Sequence, residues 1–334
     1  MKAFVCHNYG SPDILKLEEI KKPVPKDNEV LVKVHAASAN AGDWHLLRGE
    51  PFLVRLMFGL FKPKFKILGA DIAGRVEAVG KNAGQFKLGD EVFGDVSGSG
   101  FGAFAEYVSV PESALTLKPA NIAFDEASAV PSAAMTALQG LRDTGRIQPG
   151  QKVLINGASG GVGTFAVQIA KSFGTEVTGV CSTRNMDIVR SIGADHVIDY
   201  TQEDFTQNGQ QYDLILDAAA FRSILDYKRA LHPKGIYVMV GGATAQFFQA
   251  MFIAPWVSMT GTKKMATILK KTNNEDLAFL KALLETGKIK PVIDRRYPMS
   301  EVPDALRYLE TGRARGKVVL NNSNGTFAKP LEVS

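Results

Sequence analysis

The chain has little cysteine. Cys6 and Cys181 are the only two among 334 residues, and they lie far apart, without the spacing of a metal-binding or redox motif. This excludes a disulfide framework and a four-cysteine zinc lobe. The first residues also lack an apolar core long enough for a signal peptide. We therefore predict a reducing compartment, the cytoplasm.

Long apolar runs and clustered charge are lacking as well. The most apolar run, Phe52–Phe61, is too short to cross a bilayer and is interrupted by Arg55, so no integral membrane segment is expected. The net charge of +5 comes from 39 basic and 34 acidic residues that are scattered along the chain. Nucleic-acid binding needs a basic patch and is not expected, whereas a small anionic ligand suits this balance.

The order of the predicted elements indicates two domains of different type. The first third contains short strands with Gly, Pro, Asn and Asp between them, which is typical of a barrel-like β domain. A helix is predicted over Glu126–Arg142. After it, strand-like runs alternate with helical segments as far as residue 240, and this alternation favours a doubly wound parallel sheet.

A glycine loop lies at the start of the alternating part. The predicted strand Lys152–Asn156 leads into Gly157-Ala-Ser-Gly-Gly-Val-Gly163 and the predicted helix Val162–Phe173. Free backbone N–H groups and the positive end of the helix dipole meet at such a turn, where pyrophosphate binds. A merely structural turn is the alternative, which the surrounding βα units disfavour. The predicted cofactor contacts here are Gly157, Ser159, Gly160, Gly161, Val162 and Gly163.

The end of the next strand distinguishes the two nicotinamide dinucleotides. An Asp or Glu there would bind the ribose 2′-OH of NAD and would repel a 2′-phosphate. The sequence has Val180-Cys181-Ser182-Thr183-Arg184 instead. Because two hydroxyls and a guanidinium can bind a phosphate, we predict NADP(H), held by Ser182, Thr183 and Arg184. The alternative for Arg184 is a solvated residue at a helix start.

Three motifs resemble one known family. Gly69-Ala-Asp-Ile-Ala-Gly-Arg-Val-Glu-Ala-Val-Gly80, Phe86-Lys-Leu-Gly-Asp-Glu-Val-Phe-Gly94 and the glycine loop are similar, in this order, to the zinc-independent quinone oxidoreductase branch of the medium-chain dehydrogenase/reductase superfamily. The resemblance implies an α/β protein: a GroES-like β-barrel catalytic domain over 1–122 and 270–334, and a Rossmann domain with a doubly wound parallel sheet over 123–269.

The zinc enzymes of that superfamily hold their catalytic metal at three positions, and these carry Asn40, Ala70 with Asp71, and Ser132 in this chain. Of these residues only Asp71 is a zinc ligand type, so no metal site is expected. Alcohol oxidation benefits strongly from a metal ion. Hydride addition to an enone or quinone produces a delocalised enolate, for which hydrogen-bond donors suffice. We therefore predict an NADPH-dependent reductase of quinones or α,β-unsaturated carbonyls.

The resemblance also implies roles for individual residues. Asn40 is expected to contact the substrate oxygen or the nicotinamide carboxamide, with Trp44 and Arg48 lining the cleft and Thr136 near the nicotinamide ring. For these residues the alternatives are a turn former at Asn40, simple packing at Trp44 and a helix threonine at Thr136. Further cofactor contacts are implied at Tyr200 for the adenosine phosphate side, Lys317 near the pyrophosphate, and Gly241 and Gly242 at the nicotinamide.

Two apolar stretches, 51–66 and 246–256, depart from the family pattern. They could wall a pocket for a lipophilic substrate, form an oligomer contact such as a homodimer interface, or lie on a membrane surface. Two other functions stay open: a scaffold protein that binds the cofactor without turnover, and an NAD(P)-dependent alcohol dehydrogenase.

Overall fold

The structure is a computed structural model that describes residues 1–242, 246 and 261–322. The described residues form two compact units. Unit 1 comprises Met1–Ser132, Lys271–Glu285 and the described part of Ile293–Ser334. Unit 2 comprises the described part of Ala133–Lys270 together with Thr286–Val292. The apolar stretch 246–256 lies, except for Gln246, outside the described residues.

The strands are numbered in chain order over the described residues. They are β1 Lys2–Val5, β2 Lys16–Glu19, β3 Glu29–Ala39, β4 Asp71–Val79, β5 Glu91–Asp95, β6 Tyr107–Pro111, β7 Leu115–Leu117, β8 Lys152–Asn156, β9 Glu176–Cys181, β10 His196–Asp199, β11 Tyr212–Asp217, β12 Leu231–Met239, β13 Lys264–Thr267, β14 Ile293–Pro298 and β15 Lys317–Asn321.

The α-helices are numbered in the same way. They are α1 Ala41–Arg48, α2 Phe52–Phe58, α3 Phe124–Ser128, α4 Pro131–Gln139, α5 Gly161–Ser172, α6 Met186–Ser191, α7 Ile224–Ala230, α8 Asn274–Glu285 and α9 Val302–Glu310. A π-helix, Gly140–Thr144, directly follows α4.

Unit 1 is built on a sheet in the order β14-β15-β3-β4-β5-β7. The long strand β3 is its centre, because β4, β6 and β15 all pair with it in antiparallel fashion. Apolar side chains from these strands and from the helices α1 and α9 fill one core, and Leu47, Ile72, Phe104 and Leu115 are almost completely buried in it. Apart from the parallel pair β14 and β15, the pairings of this sheet are antiparallel, which agrees with the predicted GroES-like domain.

Unit 2 contains a parallel sheet in the order β10-β9-β8-β11-β12-β13, with every pairing parallel. Counted within the unit, this is the order 3-2-1-4-5-6 of dinucleotide-binding folds, and the order reverses between β8 and β11. The strands are buried on both faces, and Leu154, Val180 and Ile215 have no exposed surface, as expected for a covered parallel sheet. The predicted doubly wound sheet is confirmed, and its carboxyl edge at β8 and β11 is where a ligand is expected.

The single helix predicted over Glu126–Arg142 is wrong. The chain instead forms α3, then α4 beginning at Pro131, then the π-helix Gly140–Thr144. Pro131 has no N–H to donate and disfavours helical geometry in the residue before it, so a helix ends here and another begins. At Gly140 an added Cβ would lie 2.6 Å from the Leu216 side chain, so the widened turn lies tightly against β11.

Candidate active site

The glycine loop of unit 2 connects β8 to α5 at the carboxyl edge of the parallel sheet. Gly157 has φ +74°, which favours glycine, and an added Cβ would lie 2.8 Å from the Ala219 Cβ. Gly160 is the extended N-cap residue, and Gly161 and Val162 are the first residues of α5. The backbone N–H groups of this turn are thus at the start of a helix, where a pyrophosphate would be bound.

Gly163 and Gly160 of this loop are glycine for different reasons. At Gly163 an added Cβ would lie 2.0 Å from the Gly157 carbonyl oxygen and 2.8 Å from the Ala158 Cα, so glycine is needed for close packing of helix on loop. At Gly160 the nearest atom is 3.4 Å away, an ordinary contact. The fold of the chain therefore requires Gly163, whereas Gly160 is free to serve a ligand that approaches the backbone.

The side chain of Ser159 is hydrogen-bonded to the turn that follows β9. Its hydroxyl accepts a hydrogen bond of 2.9 Å from Asn185 Nδ2, and both residues are buried. The Oδ1 atom of Asn185 is buried without a partner among the described residues. This bond holds the glycine loop beside the turn Thr183–Asn185 that follows β9.

A buried carboxyl group, which the sequence analysis did not identify, lies next to the glycine loop. Asp217 ends β11 and has no exposed surface. It accepts hydrogen bonds from Asn156 Nδ2 at 2.8 Å and from the Tyr237 hydroxyl at 2.9 Å, and its backbone neighbour Ala219 N donates at 3.2 Å. Burial raises the pKa of Asp217 to about 6 despite these donors. The network fixes the ends of β8 and β11.

The predicted 2′-phosphate site contains an acidic neighbour that lies on another strand. Asp199 ends β10, and its carboxylate accepts hydrogen bonds from the hydroxyls of Thr183 and Thr201. Among the residues that the structure describes, no hydrogen bond or ion pair engages the exposed Arg184 guanidinium. Ser182 is half-buried beside it. Ser182 and Arg184 are thus available to a phosphate, whereas the Thr183 hydroxyl is already in use.

The other predicted cofactor contacts of unit 2 lie near the same sheet edge. Tyr200 follows β10, is partly exposed, and packs against Phe221 with ring centroids 5.6 Å apart. Gly241 and Gly242 follow β12, where Ala220 N donates to the Gly241 carbonyl at 2.9 Å. An added Cβ at Gly242 would lie 2.5 Å from the Ala220 Cβ. Chain packing alone therefore explains glycine at 242.

Unit 1 contains a buried polar cluster centred on Asp71, the first residue of β4. Asp71 has no exposed surface, and its carboxylate accepts hydrogen bonds of 2.9 Å from the Ser38 hydroxyl, Asn40 Nδ2 and Ser132 N. Lys317, the first residue of β15, places its ammonium 3.4 Å from Asp71 Oδ2. The fold thus brings together the three positions that the sequence analysis matched to zinc ligands.

Lys317 is the cation that the described residues contribute to this cluster. Its ammonium donates to Asn40 Oδ1 as well as to Asp71, and the residue is only 3% exposed. Asn40 is the N-cap residue of α1, and its backbone N–H donates to the carboxylate of Asp43 at 2.7 Å. The structure gives the Lys317 ammonium these two partners within unit 1, and its predicted contact with the pyrophosphate stays a prediction.

Asp43 is a second buried acid of the cluster. Burial raises its pKa to about 7, with a further upward contribution from the negative charge of Asp71 and an opposing one from the Asn40 N–H. An acid whose pKa is raised on folding binds a proton in the folded state at pH values where the unfolded chain has lost it. Its contribution to stability is therefore present at low pH and is lost as the pH rises through about 7.

We expect the free energy of unfolding to respond to this group between pH 4 and 7, which lies between the model-compound pKa of 3.8 and the raised one. In a plot of the free energy of unfolding against pH, Asp43→Asn should remove a slope of about 1.4 kcal/mol per pH unit, which corresponds to the binding of one proton. Urea unfolding at several pH values measures it. The fully exposed Asp187 offers the control Asp187→Asn, which should keep the wild-type slope. Equal slopes in all three proteins would contradict the assignment.

Sequence comparisons give the family. Residues 26–120 match the family described as alcohol dehydrogenase GroES-like domain, and residues 192–320 match the one described as zinc-binding dehydrogenase. The 2-methylene-furan-3-one reductase of Solanum lycopersicum is 36% identical, with 96% of this chain and 79% of the relative covered. The quinone-oxidoreductase homolog of Spinacia oleracea, chloroplastic, is 33% identical, with 93% and 95% covered. The chain belongs to the quinone oxidoreductase branch of the medium-chain dehydrogenase/reductase superfamily.

Solved structures agree with this family. The quinone oxidoreductase from Coxiella burnetii is similar with a TM-score of 0.86 and 30% identity, covering 96% of this chain and 99% of the other. The CurK enoyl reductase follows with a TM-score of 0.83 and 25% identity, covering 96% and 98%. The predicted family and fold are therefore both confirmed.

Trp44 and Arg48, the two residues predicted to line the cleft, already have partners in unit 1. Trp44 packs against the core and stacks on His45 with ring centroids 3.6 Å apart. Arg48 forms a paired hydrogen bond with the carboxylate of Glu310, at 2.6 and 3.1 Å. Thr136 lies in α4, half-buried. The roles of Trp44, Arg48 and Thr136 toward a ligand stay predictions.

The apolar segment 51–66 contains the helix α2. None of the residues of α2 is buried, and Phe52, Met57 and Phe61 are more than half exposed. Among the helices that the structure describes, none is long and apolar enough to cross a membrane. The three alternatives for this segment, a pocket wall, an oligomer contact or a membrane surface, all stay open.

Proposed function

We propose that this quinone oxidoreductase family member reduces quinones or α,β-unsaturated carbonyls with NADPH, by hydride transfer and without a metal ion. Three relatives support the reaction class: one is named as a 2-methylene-furan-3-one reductase, one as an NADPH-dependent alkenal/one oxidoreductase from Arabidopsis thaliana that is 35% identical, and one as a quinone-oxidoreductase homolog. All three substrate classes in these names contain a conjugated carbonyl.

The observation that carries the metal-free mechanism is the content of the Asp71 cluster. Its members are an amide, an ammonium, a hydroxyl, a backbone N–H and the two carboxyl groups of Asp71 and Asp43. In the residues that the structure describes, no group of three or more His, Cys, Asp and Glu residues is placed to hold a metal ion. The Asp71 carboxylate is paired with an ammonium, an arrangement suited to polarising a carbonyl oxygen by hydrogen bonds.

The residues of unit 2 fit a dinucleotide. Gly160 leaves the space that a pyrophosphate needs against the start of α5, and Ser182 and Arg184 offer donors for a 2′-phosphate. NADPH, when bound, supplies the hydride. The chain's own residues bind and orient it: the N–H groups at the start of α5 hold phosphates, and the guanidinium of Arg184 selects the 2′-phosphate. In unit 1, Asn40 donates to the substrate carbonyl oxygen as its negative charge develops.

The test is NADPH oxidation with a panel of small quinones, enals and enones, followed at 340 nm. We expect turnover with acceptors that have a conjugated carbonyl and none with saturated aldehydes or alcohols. Tight NADPH binding without turnover on the whole panel would contradict the proposal and would favour the scaffold function. Stoichiometric zinc in active protein would favour an alcohol dehydrogenase instead.

Two further properties stay predictions. A cytoplasmic location was predicted from the sequence, whereas several relatives are named as chloroplastic. A homodimer was left open, and the exposed apolar side chains of α2 would be its natural contact surface. The alternatives of a scaffold and of an alcohol dehydrogenase are not favoured by the names of the relatives above.

A further inference from the structure

The members of the Asp71 cluster differ in how much of each reaches the surface. Ser38 and Asp71 have no exposed surface, and Asp43 and Lys317 are 1% and 3% exposed. Asn40 is only partly buried, and so is Ser132, which donates its backbone N–H to Asp71. Asn40 is therefore within reach of a ligand that approaches unit 1 at this point, whereas the charged side chains behind it have almost no exposed surface.

The hydrogen bonds fix which atoms of Asn40 are available. Its Oδ1 accepts from the Lys317 ammonium, and one N–H of Nδ2 donates to Asp71 at 2.9 Å. Within the part of the chain that the structure describes, the second N–H meets the Ser38 carbonyl at 3.4 Å, beyond the usual range of about 2.7 to 3.2 Å for such bonds. One N–H of Asn40 is thus weakly held, and its direction is set by Lys317 and Asp71.

We propose that Lys317 is a positioning residue of the reductase site and acts through Asn40, so that the amide presents a polarised N–H to the carbonyl oxygen of an enone or quinone. This inference rests on the proposed function. The ammonium fixes the amide in one orientation, because the reverse orientation would place the NH₂ group against the ammonium. It also withdraws electron density from the amide oxygen, and bonds in such chains strengthen one another.

The ammonium also supplies a fixed positive charge in a buried place. As hydride reaches the β-carbon, negative charge accumulates on the carbonyl oxygen, and interactions with charge act strongly where water is excluded. The Asp71 carboxylate neutralises part of the positive charge of the Lys317 ammonium, and it also holds the ammonium in place. Lys317 thereby provides, through Asn40, the kind of stabilisation that a metal ion provides in the zinc enzymes of the superfamily.

A double-mutant cycle with Asn40→Ala and Lys317→Met tests this coupling, with kcat for an enone and the Kd of NADPH as the two measurements. We expect each single variant to lower kcat by about 100-fold, the usual scale for losing one such donor. The double variant should lose little more than either single variant, because Lys317 acts only through Asn40. The Kd of NADPH should stay within about twofold. The exposed Lys288 offers the control Lys288→Met, with unchanged kcat.

Losses that multiply in the double variant would overturn the proposal, since they would show two independent roles. A weaker Kd for NADPH with unchanged kcat would overturn it in favour of a pyrophosphate contact. Because Lys317→Met leaves Asp71 buried without its cation, the pair Lys317→Met with Asp71→Asn removes both charges and serves if the single variant does not fold. That pair should show the same loss in kcat, and wild-type kcat in it would overturn the inference. If the wild-type enzyme shows no turnover, the proposed function is wrong, and this inference, which rests on it, is wrong as well.

Discussion

Replacing Gly163 with alanine should destabilise unit 2 by about 3 kcal/mol or more, the scale of overpacking a tightly packed site. The new Cβ would lie 2.0 Å from the Gly157 carbonyl oxygen, which is backbone and cannot rotate away. Alanine favours a helix over glycine by only about 1 kcal/mol, so the clash dominates. Thermal and urea unfolding measure the loss.

Gly160→Ala is the matched control for Gly163→Ala. Its Cβ would meet nothing closer than 3.4 Å, so the free energy of unfolding should hardly change. If Gly160 serves the pyrophosphate, the Kd of NADPH should rise by about tenfold, equal to about 1.4 kcal/mol. Equal losses of stability in the two variants would contradict the tight packing at Gly163. An unchanged Kd of NADPH in Gly160→Ala would contradict a role of Gly160 in binding the pyrophosphate.

Arg184→Ala should largely abolish the preference for NADPH over NADH. A hydrogen bond to a charged group contributes about 1.5 to 3 kcal/mol, so the ratio of the two Kd values should fall by about 10- to 150-fold, through weaker NADPH binding at unchanged NADH binding. No other role in the described structure competes for this exposed guanidinium. Cofactor titration by fluorescence measures both Kd values.

Arg190→Ala is the control for this prediction, because Arg190 lies in α6, is exposed and, among the residues that the structure describes, pairs with Asp187 at 3.1 Å. It should leave both Kd values unchanged. An intact NADPH preference in Arg184→Ala would mean that Arg184 is not the selecting residue. Since the Asp199 carboxylate is held by Thr183 and Thr201 close by, that result would direct attention to Ser182.

Local sequence signals were sufficient for much of the fold. The strand β8, the glycine loop and α5 were predicted almost residue by residue, because β-branched runs, glycines and helix formers follow one another there with clear boundaries. The predicted helix over 126–142 failed at Pro131, where a known helix-breaking residue was outweighed by the helical character of its neighbours. The π-helix that follows has no sequence signal of its own and depends on packing against β11.

The site was predictable in its positions and not in its interactions. Asn40, Asp71 and Ser132 were identified as related positions, yet no local pattern indicated that Lys317, at a distance of 277 residues from Asn40, would complete the cluster. Asp217 was missed because its donors Asn156 and Tyr237 come from neighbouring strands. Asp199 was missed because the acid that binds the ribose 2′-OH is expected at the end of β9, whereas Asp199 ends β10. Such contacts follow from strand order and register.

Deuterium tracing follows the proposed hydride transfer from NADPH to a conjugated carbonyl. The wild-type enzyme is incubated with an enone and NADPH that carries deuterium at the transferred position of C4, and the product is examined by mass spectrometry and NMR. We expect the product to carry one deuterium at the β-carbon, a proton from solvent at the α-carbon and an intact carbonyl group. Deuterium at the carbonyl carbon, which would mark an alcohol as product, or no label in any product, would contradict it.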